Sequence, residues 1–416
     1  MTASTATATA TATADEVTPY ARKALIASTA GYAMDGFDFL ILGFMLTAIR
    51  ADLGLSQSEA ASLATWTLLG AVAGGIGFGI LSDHLGRVRV LTWTILLFAV
   101  FTGLSALARG YWDLAIYRAV AGLGLGGEFG IGMALAAEAW PAAKRARVSS
   151  YVGLGWQAGV LAAALVTPLL LPAIGWRGMF VVGLVPALAS FLIRRAVGEP
   201  PLFVERAKGA KAATRTMAPL RLLVKDAATA RISLGMLILC SVQNFGYYGI
   251  MIWMPGYLAR QFGFGLPQAA VWTSVTILGM AFGIWLFGEL ADRIGRKPVF
   301  LAYQAGAAVM VVVYSQLKDP TAALVGGAVM GMFVNGMLGG YGALMSELYP
   351  TEARATAQNV LFNLGRAVGG FGPLVIGALA SAYSWQVAIA LLAAIYVVDM
   401  LATALLIPER KGVALE

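Results

Sequence analysis

Residues 79–89 read GILSDHLGRVR, and residues 288–298 read GELADRIGRKP. Aligned on Asp83 and Asp292, the two stretches lie 209 residues apart (292 − 83). A second pair keeps the same offset: EAWPAAKR (138–145) returns as ELYPTEAR (347–354), which sets Glu138 on Glu347 and Arg145 on Arg354. Two unrelated motifs sharing one spacing in a 416-residue chain mark a duplication, each copy about half the length. The residues between the motifs say what is duplicated. Hydrophobic residues make up 59% of the chain and charged ones 12%, where soluble domains carry roughly a quarter charged. This is the composition of a membrane protein.

A helix needs about 20 apolar residues to cross the hydrocarbon, and every crossing must be helical because lipid offers the backbone no hydrogen bonds. Scanning on that length predicts twelve spans, at about 24–49, 60–82, 89–108, 112–137, 147–171, 176–197, 232–258, 268–291, 298–316, 321–346, 356–380 and 385–407. Lysine and arginine then orient them. With both termini on one side, 22 of the 29 fall there and five on the other, Arg118 and Arg366 lying within spans. The positive-inside rule makes the rich side, the basic end, cytoplasmic. The expected organisation is a disordered tail (1–20), a six-helix bundle (21–198), a cytoplasmic linker (199–230), a second six-helix bundle (231–409) and a short tail (410–416). The first tail is Thr/Ala low complexity without a basic stretch ahead of an apolar core, so it does not read as a cleaved signal. The single cysteine, Cys240, excludes an intramolecular disulfide framework.

G-x-x-x-D-x-x-G-R between spans two and three (Gly79, Asp83, Gly86, Arg87), repeated between spans eight and nine (Asp292, Gly295, Arg296), resembles the signature loop of the major facilitator superfamily. GEPP (198–201) and PERKG (408–412) resemble its sugar-porter and organic-ion branches. The resemblance covers nearly the whole chain. It implies an all-α membrane protein, twelve helices in two six-helix bundles, with substrate held between them near the midplane.

The repeat separates scaffold from function. Charges present in both halves most simply serve what the halves share: Asp83/Asp292, Arg87/Arg296, Glu138/Glu347 and Arg145/Arg354, read as gating and structural groups at helix ends. His84 stands where the second half has Arg293; it is a loop variant or, as the one histidine, a pH sensor. Five ionisable residues in spans face neutral partners: Asp35 faces Asn244, Asp38 faces Tyr247, Arg118 faces Gly327, Glu128 faces Met337 and Arg366 faces Gln157. Each costs about 2.5–3.5 kcal/mol at a helix centre, so each needs a substrate or proton to justify it.

Asp35 and Asp38, spaced i, i+3, share a helix face, and two close carboxylates resist joint ionisation, which suits a proton carrier. In the superfamily's proton symporters an acid on helix one commonly answers an arginine on helix four. The resemblance therefore implies an Asp38–Arg118 pair; the alternative is a buried salt bridge fixing those helices. Glu128 is a second protonation site or a partner of Arg118. Arg366, before glycines on span eleven, awaits a substrate carboxylate or pairs with Asp35, Asp38 or Glu128. Gln243, Asn244, Tyr247 and Tyr248 form a polar aromatic stripe on span seven; Trp156, Gln157, Asn335, Tyr341, Asn359 and Asn363 offer further contacts, to substrate or to neighbouring helices.

DGFD (35–38) resembles the aromatic-acid and metabolite proton symporters, and GLGLGGEFGIG (122–132) the metabolite, sialate or nicotinate-type members. The expected function is proton-coupled uptake of a small organic anion, an aromatic or other monocarboxylate, by alternating access. A sugar or polyol carrier and an efflux transporter are the alternatives. No nucleophile triad, phosphate loop or metal-ligand cluster stands at the required spacings, so an enzyme is not expected. Nor are a metal or cofactor expected beyond protons as coupling ion, or a nucleic-acid partner. The expected setting is a bacterial inner membrane, as a multi-pass monomer in the bilayer with both termini cytoplasmic.

Overall fold

The structure, a computed structural model, describes residues 17–195, 197–200, 203–204 and 218–413. Most of the expected N-terminal tail, much of the linker and residues 414–416 lie outside the described residues. Among those described, twelve helices are long and apolar enough to cross a membrane, as the sequence predicts. In the first half they are α1 (Pro19–Leu53), α2 (Gln57–Leu85), α3 (Arg87–Ser105), α4 (Tyr111–Ala139), α5 (145–174) and α6 (176–195). In the second they are α7 (Ala227–Phe262), α8 (Leu266–Ile294), α9 (Arg296–Gln316), α10 (Pro320–Leu348), α11 (Arg354–Ala382) and α12 (Trp385–Leu406).

Local chemistry sets the helix ends. Thr18, Ser56, Asp226, Asp319 and Ser384 each accept a backbone N–H from the first turn that follows, satisfying donors the helix itself leaves open. At Asp226, outside the spans, the Thr229 amide bond holds the carboxyl below its usual range. The chain leaves α5 for α6 at Gly175 (φ 67°, ψ 177°). The signature-loop glycines are required by their backbone: Gly86 and Gly295 take φ 110° and 108°, which residues with a Cβ rarely adopt. Each sits beside a carboxylate that caps the following helix. Glu199 accepts from the Val88 and Arg89 amides (3.2 and 2.9 Å), and Glu409 from those of Arg296 and Lys297 (3.2 and 2.9 Å). The sugar-porter-like GEPP and PERKG segments thus deliver one capping acid to each half.

Within the first half α1 packs on α5 and α2 on α4; within the second, α7 packs on α11 and α8 on α10. The halves meet where α5 lies against α8 and α10, and where α11 lies against α2 and α4. Contact there is close because Gly130 on α4 and Gly75 on α2 leave room for Asn359 and Asn363 of α11. The Gly130 amide donates to Asn359 Oδ1 (3.0 Å), and Asn363 Nδ2 donates to the Gly126 carbonyl (3.0 Å). Phe129 stacks on Phe362 beside them, ring centroids 3.7 Å apart.

Candidate functional site

At the basic end the doubled charges join the two halves. Asp83 accepts from the Ala355 and Thr356 amides (3.3 and 2.8 Å) and the Thr356 hydroxyl (2.6 Å), so the last turn of α2 caps α11. Asp292 accepts from the Ala146 and Arg147 amides (3.0 and 3.1 Å), so the last turn of α8 caps α5. Glu138 receives Arg87 at 3.1 Å and, across the divide, Arg354 at 2.9 Å. Glu347 receives Arg296 at 2.8 Å and Arg145 at 3.6 Å. With the asparagine contacts above, the molecule is closed from the basic end up to its middle.

The undoubled charges lie at the middle. Arg118 holds Asp38 with both terminal nitrogens, at 3.2 and 2.5 Å, and its Nε faces Thr67 Oγ1 at 3.4 Å. Both side chains are fully buried, and the guanidinium lies 5.6 Å from the Phe180 ring. Arg366 is different. Its Cζ lies 5.6 Å from the Trp156 ring centre and 5.3 Å from that of Phe362, with the Tyr32 hydroxyl facing it. It forms no ion pair among the described residues, and its Nε has no acceptor there. Such contact with ring faces favours a cation yet leaves its fork of donors available.

Arg366 and Trp156 form the wall between two small spaces. Asp35, Phe39 and Thr67 help to enclose one; Tyr32, Gln243, Asn244, Tyr247, Tyr248 and Asn335 help to enclose the other. Each has room for about one water. Gln243 donates to Asn335 (2.7 Å), leaving Gln243 Oε1 and Asn335 Nδ2, one acceptor and one donor, without partners. Trp156 donates to the Tyr247 hydroxyl (3.2 Å), and Phe39 meets Tyr248 at 5.8 Å between ring centres. Aromatic side chains from α1, α5 and α7 thus surround the guanidinium.

Several expected site residues stand elsewhere. Glu128 accepts from Thr94 on α3 (2.5 Å), one residue round α4 from the Phe129 that stacks on Phe362, and lines neither space. Asn359 and Asn363 are used against α4, and the Tyr341 hydroxyl donates to the Leu239 carbonyl (2.9 Å). Gln157 is buried on α5 but lines neither space. Sequence reasoning missed Tyr32 and Phe39, although 32, 35 and 39 follow the i, i+3, i+7 stripe of one α1 face. It also missed Asp399 in α12, although subtracting 209 places it on Ser190, so the doubling test would have found it.

The Major Facilitator Superfamily model matches residues 29–286 and 245–415, so the two matches together run almost end to end. The chain belongs to this superfamily. It is a multi-pass membrane transporter, not an enzyme. It is 66% identical over 405 residues to a Haemophilus influenzae protein named for metabolite transport, covering 97% of this chain and 100% of that one. It is 32% identical over 409 residues to a Cupriavidus pinatubonensis protein named for 4-methylmuconolactone transport (96% and 93% covered). It is 30% identical over 380 residues to the cis,cis-muconate transport protein of Acinetobacter baylyi (91% and 92%). A solved proton:xylose symporter, XylE, shares the fold with TM-score 0.80 at 20% identity, covering 96% of this chain and 98% of that one.

Proposed function

We propose that this transporter carries a small organic anion, an aromatic or other carboxylate, together with protons, by alternating access. The observation that carries the reading is Arg366: a buried guanidinium between two aromatic faces, with no ion pair among the described residues and no acceptor on its Nε. A carboxylate satisfies that fork with two parallel hydrogen bonds, and the flanking rings suit a planar substrate. The free Gln243 acceptor and Asn335 donor would then meet a second polar group on it. Relatives named for muconate and methylmuconolactone transport support an unsaturated or ring-derived acid. A neutral sugar gives Arg366 no counter-charge, and the likeness to a sugar symporter at 20% identity speaks to fold alone.

Asp35 shares a space with Arg366, so an arriving substrate carboxylate places a second negative charge beside it. Like charges resist joint ionisation, and a proton taken up by the Asp35/Asp38 pair relieves the conflict. Protonating Asp38 also removes the charge that holds Arg118, which frees α1 from α4. Substrate and proton thus stabilise the same rearranged state, as coupling requires. The basic end faces the cytoplasm of a bacterial inner membrane, both termini lie there, and the monomer is the working unit.

The test is uptake into proteoliposomes. An imposed inward acid gradient is expected to accelerate entry of labelled benzoate-, nicotinate- or muconate-type acids; indifference to the gradient rules out symport. Arg366→Lys keeps the charge but not the fork, so binding should weaken about 30- to 150-fold, the loss of one charged hydrogen bond worth ~2–3 kcal/mol. Unchanged affinity removes Arg366 from the site.

A further inference from the structure

Helix α12 is almost wholly apolar, LLAAIYVVDMLATALL over 391–406, and its single ionisable carboxyl, Asp399, is fully buried. It does not face the central spaces. Its surroundings are polar but uncharged: Gln304 from α9, Cys240 from α7, Tyr341 from α10, and Tyr396 and Thr403 on its own helix face. No cation among the described residues pairs with it. α10 and α12 contain no lysine or arginine, and α7 carries Arg231 and Arg260 near its two ends. α9 carries its pair at its first two positions. Of these, Arg296 is engaged by Asp292 and Glu347. Lys297 donates to the Ala404 carbonyl, five residues or ~7.5 Å along the helix from Asp399.

The hydrogen-bond accounting leaves more acceptors than donors open, the Tyr396 hydroxyl being an open donor that lies against Gly246 of α7. Gln304 Nε2 donates to Thr403 Oγ1 (2.7 Å), leaving Gln304 Oε1 without a donor. Both Asp399 oxygens also lack one. An acceptor-only carboxylate beside an acceptor oxygen, in lipid-depth surroundings without a counter-charge, is a poor arrangement; one added proton corrects it. We propose that Asp399 is a proton-binding site: its carboxyl carries a proton and donates it to Gln304 Oε1 across the α9–α12 contact. The site lies on the side of α7 away from the substrate stripe: α7 presents Gly246 to the hydroxyl of Tyr396, three residues from Asp399 on α12, while Asn244, Tyr247 and Tyr248 line the centre. Its protonation state acts on the packing of α12 against α7 and α9, behind the helix that presents those tyrosines. It stands independently of the Arg366 and Asp38 assignments, and either can fail alone.

Infrared difference spectroscopy of the full chain in nanodiscs tests it. A protonated-carboxyl C=O band is expected at neutral pH, abolished by Asp399→Asn, retained in Asp38→Asn, and shifted to higher frequency by Gln304→Leu, which removes the acceptor. A band unaffected by Asp399→Asn overturns the proposal. Wild-type protein gives a second measurement that needs no variant. Dicyclohexylcarbodiimide reacts with protonated carboxyls in apolar surroundings, so the Asp399 peptide should gain its mass at neutral pH and progressively less in alkali. An Asp399 peptide left unmodified while other carboxyls react overturns it, whether or not Asp399→Asn folds.

Discussion

At the basic end, what one half does the other half does in mirror: Asp83 caps α11 and Asp292 caps α5, while Glu138 and Glu347 each collect an arginine from both halves. At the centre the halves differ. The first supplies Asp35 and the Asp38–Arg118 pair, and the second supplies Arg366 and the Gln243–Asn335 amides. In the symmetric region each carboxylate faces a guanidinium or a helix N-terminus and each arginine has a carboxylate, although Glu138 Oε2 and the Nε atoms of Arg87 and Arg145 stay open. The asymmetric region is satisfied only in part: Arg366 Nε, Gln243 Oε1 and Asn335 Nδ2 stay open among residues that line one space. Symmetry marks what the duplicated bundles need to close on one another; departure from it marks what was added for a ligand.

The largest effect should come from the asymmetric pair. Asp38→Asn leaves the buried Arg118 with only Thr67 and an amide, and breaking a buried pair from one side costs about 3–5 kcal/mol. Thermal unfolding in detergent should register it, and gradient-driven uptake should vanish while counterflow exchange persists. Adding Arg118→Met to Asp38→Asn should restore most of the stability without restoring gradient-driven uptake. If Asp38→Asn loses exchange together with uptake, the pair is scaffold like those at the basic end and the comparison breaks; if it is as stable as wild type, the two side chains do not act as a buried ion pair at all.

How far this division could be read from residues alone depends on what a repeat records. The 209-residue offset names the doubled octet, and the lengths of the apolar stretches give twelve spans, because lipid leaves the backbone few choices. It also flags Asp35, Asp38, Arg118 and Arg366, which the structure places at the middle. It does not give the rotation of a helix about its axis. Glu128 was flagged by the same test, yet α4 turns it to Thr94, and a residue later Phe129 meets Phe362. Asn359 and Asn363 look like ligand groups in sequence; the Gly126 and Gly130 backbone that occupies them is visible only once α4 and α11 are packed.

The mirror itself is imperfect, and the imperfection sharpens the comparison. The cross-half pair Arg354–Glu138 is 2.9 Å and fully buried, whereas Arg145–Glu347 is 3.6 Å, and Arg145 also donates to the Val413 carbonyl (2.7 Å). Arg354→Gln should therefore open the basic end more than Arg145→Gln. Loss of one buried charged hydrogen bond shifts the closed population by roughly 1.5–3 kcal/mol, or about ten- to 150-fold. Spin labels across the two loops would measure the distance distribution. Equal shifts would mean that the two pairs carry equal weight despite their geometry.

The smallest expected difference lies between Thr356 and Arg147, which the 209-residue offset sets on one another. Both donate a backbone amide to the aspartate of the opposite half, so the caps are alike; the side chains are not. The Thr356 hydroxyl bonds Asp83 at 2.6 Å in a buried setting, and Thr356→Val removes that one bond while keeping the shape. About 1 kcal/mol of stability should go with it, unchanged by salt, because a short buried hydrogen bond is little screened. Arg147 reaches Glu289 at 3.1 Å and Asp292 at 3.8 Å with its side chain 34% exposed, so Arg147→Ala should cost only ~0–1 kcal/mol. That smaller loss should shrink further as ionic strength rises, since exposed pairs are screened. Melting both variants across a salt series separates the two. A salt-dependent loss at Thr356, or a salt-independent one at Arg147, would show that the second half closes on the first by a different balance of forces than these distances indicate.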